Sequence, residues 1–128
     1  FGLSTLESMM TGTPIIAPKT GGLTKQVCNS IEGGENGVAL DIDLKTLVGS
    51  QSVPYIYEDY VSNENVAKGI MKMHNMSEKQ KTKLSKKVLR YAHKMFSHQK
   101  TVDDWDKTMK KALKDFKEKK QNYTVTVF

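Results

Sequence analysis

What the chain has little of excludes more than what it has in plenty. One cysteine, Cys28, occurs in 128 residues, so no disulfide can close within the chain and the fold must rest on its core. A domain of this length buries roughly two-thirds of the surface its unfolded chain exposes, enough for a core without metals or cross-links. No run approaches the ~20 consecutive apolar residues of a membrane-spanning helix, and no basic-then-apolar segment opens the chain. With the lone thiol, these absences predict a cytoplasmic protein with no membrane span. His74, His93 and His98 have neither a cysteine pair nor H-E-x-x-H spacing beside them, so no metal site is expected.

Arginine is scarce too, occurring only at Arg90. The net charge of +6 is uneven: residues 1–64 hold three lysines against eight acids, and residues 65–128 hold seventeen cations against six acids. A basic half suits an anionic partner. Yet the guanidinium fork that reads guanine edges and grips phosphate in two places is almost absent. The lysines also alternate with helical apolar positions, as on a solvated helix face. Nucleic acid is therefore not the expected partner.

What is present divides the chain by its punctuation. Ser4 to Met10 reads as a helix, with Ser4 as N-cap and Glu7 as its capping-box partner. Gly12 supplies the left-handed residue that ends it. Pro14 to Ala17 is a short apolar run of the kind found in buried parallel strands. Gly21–Gly22 predicts a sharp turn, Leu23 to Cys28 one or two helical turns, residues 32–37 a loop, and Val38 to Leu40 a second strand. Helix, strand, turn, helix, strand implies an α/β fold with parallel strands, because parallel neighbours need a crossover.

Between Leu40 and Ser62 the stretch 54–60 carries three tyrosines, expected to pack an extended loop onto the domain, with contact to an acceptor or partner as the alternative. From Ser62 the pattern is helical: Val66, Ile70 and Met73; then Leu84, Val88, Ala92 and Met95, opened by Ser77 with Gln80; then Val102, Trp105, Met109, Ala112 and Phe116, opened by Thr101. These stripes are expected to be core. The tail, residues 121–128, alternates like a strand.

One run carries chemistry. Phe1-Gly2-Leu3-Ser4-Thr5-Leu6-Glu7-Ser8-Met9-Met10-Thr11-Gly12-Thr13-Pro14-Ile15-Ile16-Ala17, followed by Gly21-Gly22-Leu23, resembles the donor-site segment of family 4-type retaining glycosyltransferases of the GT-B architecture (glycosyl transferases group 1). That family's pattern is E-x-F-G-L-x-x-x-E-x-M-x-x-G-x-P-V-V-A and then a G-G turn. The glycines, the glutamate, the methionine and the G-T-P fall in register. The chemistry suits the pattern: a helix N-terminus offers unpaired N–H groups and a favourable dipole, and glycine lets a pyrophosphate come close.

The resemblance implies the second half of a Rossmann-like GT-B C-terminal domain ending in three helices: a donor-site segment at 1–42, a helical segment at 62–120 and the tail. It implies that the amides of Gly2, Leu3, Ser4 and Thr5 face the donor sugar and distal phosphate. Glu7 would take both ribose hydroxyls, and the Gly21–Gly22 loop would lie near the donor. It further implies a cut-off chain, since the first motif glutamate, the basic pair on the phosphates and the N-terminal acceptor domain lie before Phe1. The last helix, Thr101–Lys119, would cross back to that missing domain.

The expected function is a hexosyltransferase in the parent protein, moving a sugar from a nucleotide-diphosphate donor to an unidentified acceptor hydroxyl with retention, with no cofactor and no obligatory metal. No catalytic residue falls within this segment. The family commonly has an acid where this chain has Lys25. That departure keeps open a catalytically inactive GT-B-derived binding or assembly module, and another sugar-nucleotide enzyme of the same architecture is the nearer rival.

Overall fold

The computed structural model describes residues 2–118. The chain forms two compact units, Phe1–Met95 and Phe96–Phe128. Phe1 and residues 119–128, including the tail expected to alternate like a strand, lie outside the described residues.

The first unit is mixed α/β, and its opening follows the sequence punctuation. Helix α1 (Leu3–Met10) ends at Gly12, whose φ of 82° is left-handed and open to glycine at no steric cost. The Gly12 N–H donates to the Met9 carbonyl and the Thr13 N–H to the Ser8 carbonyl, both at 2.9 Å. This is the paired closure of a Schellman end. Strand β1 (Ile15–Pro18), helix α2 (Leu23–Val27) and strand β2 (Gly37–Leu40) follow. β1 and β2 pair in parallel, Ile15 opposite Gly37 and Pro18 opposite Leu40, with α2 in the crossover. A Cβ at Gly37 would lie 1.8 Å from the Ile15 carbonyl oxygen, so this register requires glycine.

Met9, Val27, Ile15, Ala17, Val38 and Leu40 make the apolar core of this segment. A polar latch completes it. Buried Asn36 donates from Nδ2 to the Gln26 carbonyl (2.7 Å) and accepts from Asn29 Nδ2 (3.0 Å), while Asn29 Oδ1 accepts the N–H groups of Ile31 and Glu32. The loop expected at residues 32–37 is therefore tied to the end of α2, as buried polar groups require.

Helix α3 (Asn63–His74) packs on β2 through a glycine. A Cβ on Gly69 would sit 2.9 Å from Leu40 Cδ2. Ile70, expected on the packed face, is 53% exposed. Gly69 admits the closest approach, and the seated face runs through Val66, Gly69 and Met73. Helix α4 (Glu78–Phe96) begins as its sequence predicts: the Ser77 N–H donates to Gln80 Oε1 (2.8 Å) and the Gln80 N–H to Ser77 Oγ (3.3 Å). Val88, Tyr91 and Ala92 are its buried residues. The Tyr91 hydroxyl donates to the Lys25 carbonyl (2.6 Å), capping an acceptor at the end of α2.

Four expectations are overturned, two in the stretch before α3 and two in the last helix. The stretch expected as a loop is an antiparallel hairpin, β3 (Leu44–Ser50) with β4 (Val53–Tyr60), turning at Gln51–Ser52. Its tyrosines do not pack into the domain: Tyr55, Tyr57 and Tyr60 are all exposed. β-branched and aromatic residues on both sides of a short polar turn favour strand pairing, and the pairing leaves both faces open. In the second unit, helix α5 (His98–Glu118) starts one turn earlier than expected. Ser97 rather than Thr101 opens it, accepting the Lys100 N–H at 3.3 Å. No residue of α5 is buried; Val102, Trp105, Met109 and Phe116 form an exposed stripe instead of core.

Among the described residues no helix is long and apolar enough to cross a membrane.

Candidate functional site

In an open α/β sheet, loops at the carboxyl ends of parallel strands form the crevice where ligands bind. Here β1 runs out at Pro18 into Lys19-Thr20-Gly21-Gly22, and α2 starts at Leu23. The start of α1 abuts the same place. A Cβ on Gly2 would lie 2.6 Å from Leu23 Cδ2 and 2.6 Å from Thr5 Oγ1, so a larger residue there would have to displace both side chains.

Gly2 is the N-cap of α1, with no side-chain cap and no acid in the first turn. The first-turn N–H groups of a helix lack intrahelical acceptors and carry partial positive charge. This end of α1 is therefore an uncompensated donor cluster. The predicted binding residues Gly2, Leu3, Ser4 and Thr5 make it up, with Leu3 and Ser4 exposed and Gly2 and Thr5 half-buried. Gly21 (φ 45°) and Gly22 are both exposed in the neighbouring turn.

Glu7 is exposed and makes no hydrogen bond or ion pair among the described residues. The predicted capping box with Ser4 does not form. Gly2 rather than Ser4 is the N-cap of the helix, and Thr5 Oγ1 donates to the Gly2 carbonyl (2.7 Å). Ser4 is then inside the first turn and Glu7 is released from capping.

Gln26 is a residue that sequence reasoning missed. It is completely buried, and its side-chain amide meets Thr5 Oγ1. The Thr5 hydroxyl lies against both the Gly2 carbonyl and Gln26 Oε1, and Gln26 Nε2 has no hydrogen-bond partner among the described residues. Gln26 thus ties the first turn of α1 to α2. A polar residue in the apolar phase Leu23, Gln26, Val27 was the available signal.

Asp59 was also missed. It accepts from Thr20 Oγ1 at 2.5 Å and pairs with Lys45 at 3.6 Å, fastening the hairpin to the residue before Gly21. Asp43 holds the other end of the hairpin to α3, accepting from the Ser62 N–H and from Asn65 Nδ2, both at 2.7 Å. These hydrogen bonds, from Ser62 first, keep its carboxyl below the ordinary aspartate range. Lys19 bonds Asp41 at 2.7 Å, which raises its pKa through that hydrogen bond and the paired charge. Lys25 is exposed and unpaired among the described residues.

Set against family models, curated proteins and solved structures, the chain has no match in any of the three.

Proposed function

We propose that this chain is the donor-binding C-terminal part of a GT-B retaining glycosyltransferase, the second half of its Rossmann-like domain. The parent transfers a hexose from a nucleotide-diphosphate sugar to an acceptor hydroxyl. The observation that carries this reading is the pairing of an uncapped α1 N-terminus, built from Gly2, Leu3, Ser4 and Thr5, with an unengaged Glu7 one turn later. The N–H cluster suits the distal phosphate and sugar, and a carboxylate accepts two ribose hydroxyls in charge-assisted bonds. Catalysis is then electrostatic and positional: the amides stabilise the leaving diphosphate while the cleft aligns the acceptor. The exposed apolar stripe of α5 is what a helix that covers a second domain would carry.

The test is donor affinity in the full-length parent. Hydrogen bonds to a charged group are worth about 1.5–3 kcal/mol each, so Glu7→Ala should weaken UDP-hexose or GDP-hexose binding by about tenfold or more. Unchanged affinity removes Glu7 from the site. One observation favours a second reading, an inactive binding module: Lys25 stands exposed where the resemblance calls for an acid. A parent that binds nucleotide sugars but neither hydrolyses nor transfers them would select that reading.

A further inference from the structure

We propose that the hairpin face bearing Tyr55 and Tyr57 is a binding platform for an uncharged glycan, the acceptor of the reaction proposed above; the acceptor assignment rests on that reading. Side chains two apart on a strand share a face. Tyr57 therefore projects on the side of Asp59, whose carboxylate reaches Thr20 beside the Gly21–Gly22 turn. Tyr55 continues the row. Its ring lies against Gly49, with Cδ1 2.8 Å from where a Cβ would be, and Gly49 is two residues from Leu47, the partner of Tyr57. From the Asp59 anchor the row extends about 13 Å at strand rise, room for more than one sugar ring. Tyr55 is 63% and Tyr57 72% exposed.

The chemistry selects the occupant. A pyranose presents a face of C–H bonds that stacks on an aromatic ring, while its rim hydroxyls need polar partners. Phenols supply both. Charge argues against a polyanion, because Asp43, Glu58 and Asp59 outnumber Lys45 across residues 43–60. Strand addition by a second copy is disfavoured along β4, where Pro54 and a bulge between the Val48–Ile56 and Ser50–Val53 pairs interrupt the edge.

The experiment titrates the full-length protein with maltohexaose, cellohexaose and mannohexaose, and in parallel with UDP and GDP. Wild type should bind at least one oligosaccharide. Tyr55→Ser/Tyr57→Ser should weaken that binding about tenfold or more, and Tyr55→Phe/Tyr57→Phe should stay within about threefold, because stacking needs the ring. Nucleotide affinity should not change in either variant. Wild type binding none of the three, or the serine variant binding as wild type does, overturns the proposal. So does a concentration-dependent dimer that the serine variant abolishes, which would assign the face to a second copy. A failed donor reading shows separately, as no UDP or GDP binding beside intact, tyrosine-dependent oligosaccharide binding; that result supports a glycan site.

Discussion

Gly2 opens the proposed donor site. A methyl group there would meet Leu23 Cδ2 and Thr5 Oγ1 at 2.6 Å, so those side chains must turn aside and the methyl would stand in the first turn of α1, where the donor is proposed to bind. Gly2→Ala should therefore weaken nucleotide binding in titrations while costing only modest thermal stability. Tyr91→Phe tests a different bond: it leaves the Lys25 carbonyl without its 2.6 Å donor and should cost about 1 kcal/mol in denaturant unfolding. Met9→Ala, at a fully buried position, should cost about 2–5 kcal/mol. Gly2, Glu7 and the Gly21–Gly22 pair stand out in the sequence because the motif fixes their spacing, and their role remains a proposal. Gln26 does not stand out, because its partner Thr5 is distant in sequence and meets it only once α1 and α2 pack.

Helix starts show how far local pattern reaches. Ser77 with Gln80 and Ser4 with Glu7 are the same S-x-x-E/Q signal, yet only the first closes. α1 already begins at the Gly2 cap, whose carbonyl accepts the Leu6 N–H, so Ser4 lies inside its first turn. The hairpin was hidden for another reason: with both faces exposed, its strands lack the apolar–polar alternation that marks a half-buried strand. Its junction with α3 carries a pH prediction. The folded pKa of Asp43 is lowered, so its stabilisation is present above the unfolded aspartate pKa and is lost as pH falls through the folded value. The protection factors of the Ser62 and Asn65 amides, with the intrinsic pH dependence of exchange divided out, should fall over that acidic range and stay constant above it. Protection that is unchanged in acid would show that Asp43 does not hold the junction. Helix α5 has no buried residue and is supported by i,i+4 pairs such as Lys100–Asp104 and Lys110–Asp106, worth about 0.3–0.5 kcal/mol each. Its amides should exchange faster than those of α4.

At the scale of the molecule, the mixed α/β class and the parallel pairing of β1 with β2 were legible from glycine and proline spacing. The exposure of the α5 stripe was not, because periodicity identifies an apolar face without saying what covers it. The central claim is that the amides opening α1 and the carboxylate of Glu7 hold a nucleotide diphosphate at the carboxyl edge of the strands. Hydrogen–deuterium exchange of the full-length parent, with and without saturating UDP-hexose or GDP-hexose, tests it most directly. New protection is expected in peptides covering residues 2–12 and 19–27, lost in Glu7→Ala. Protection confined to other segments, with residues 2–12 exchanging as in the free protein, would contradict it.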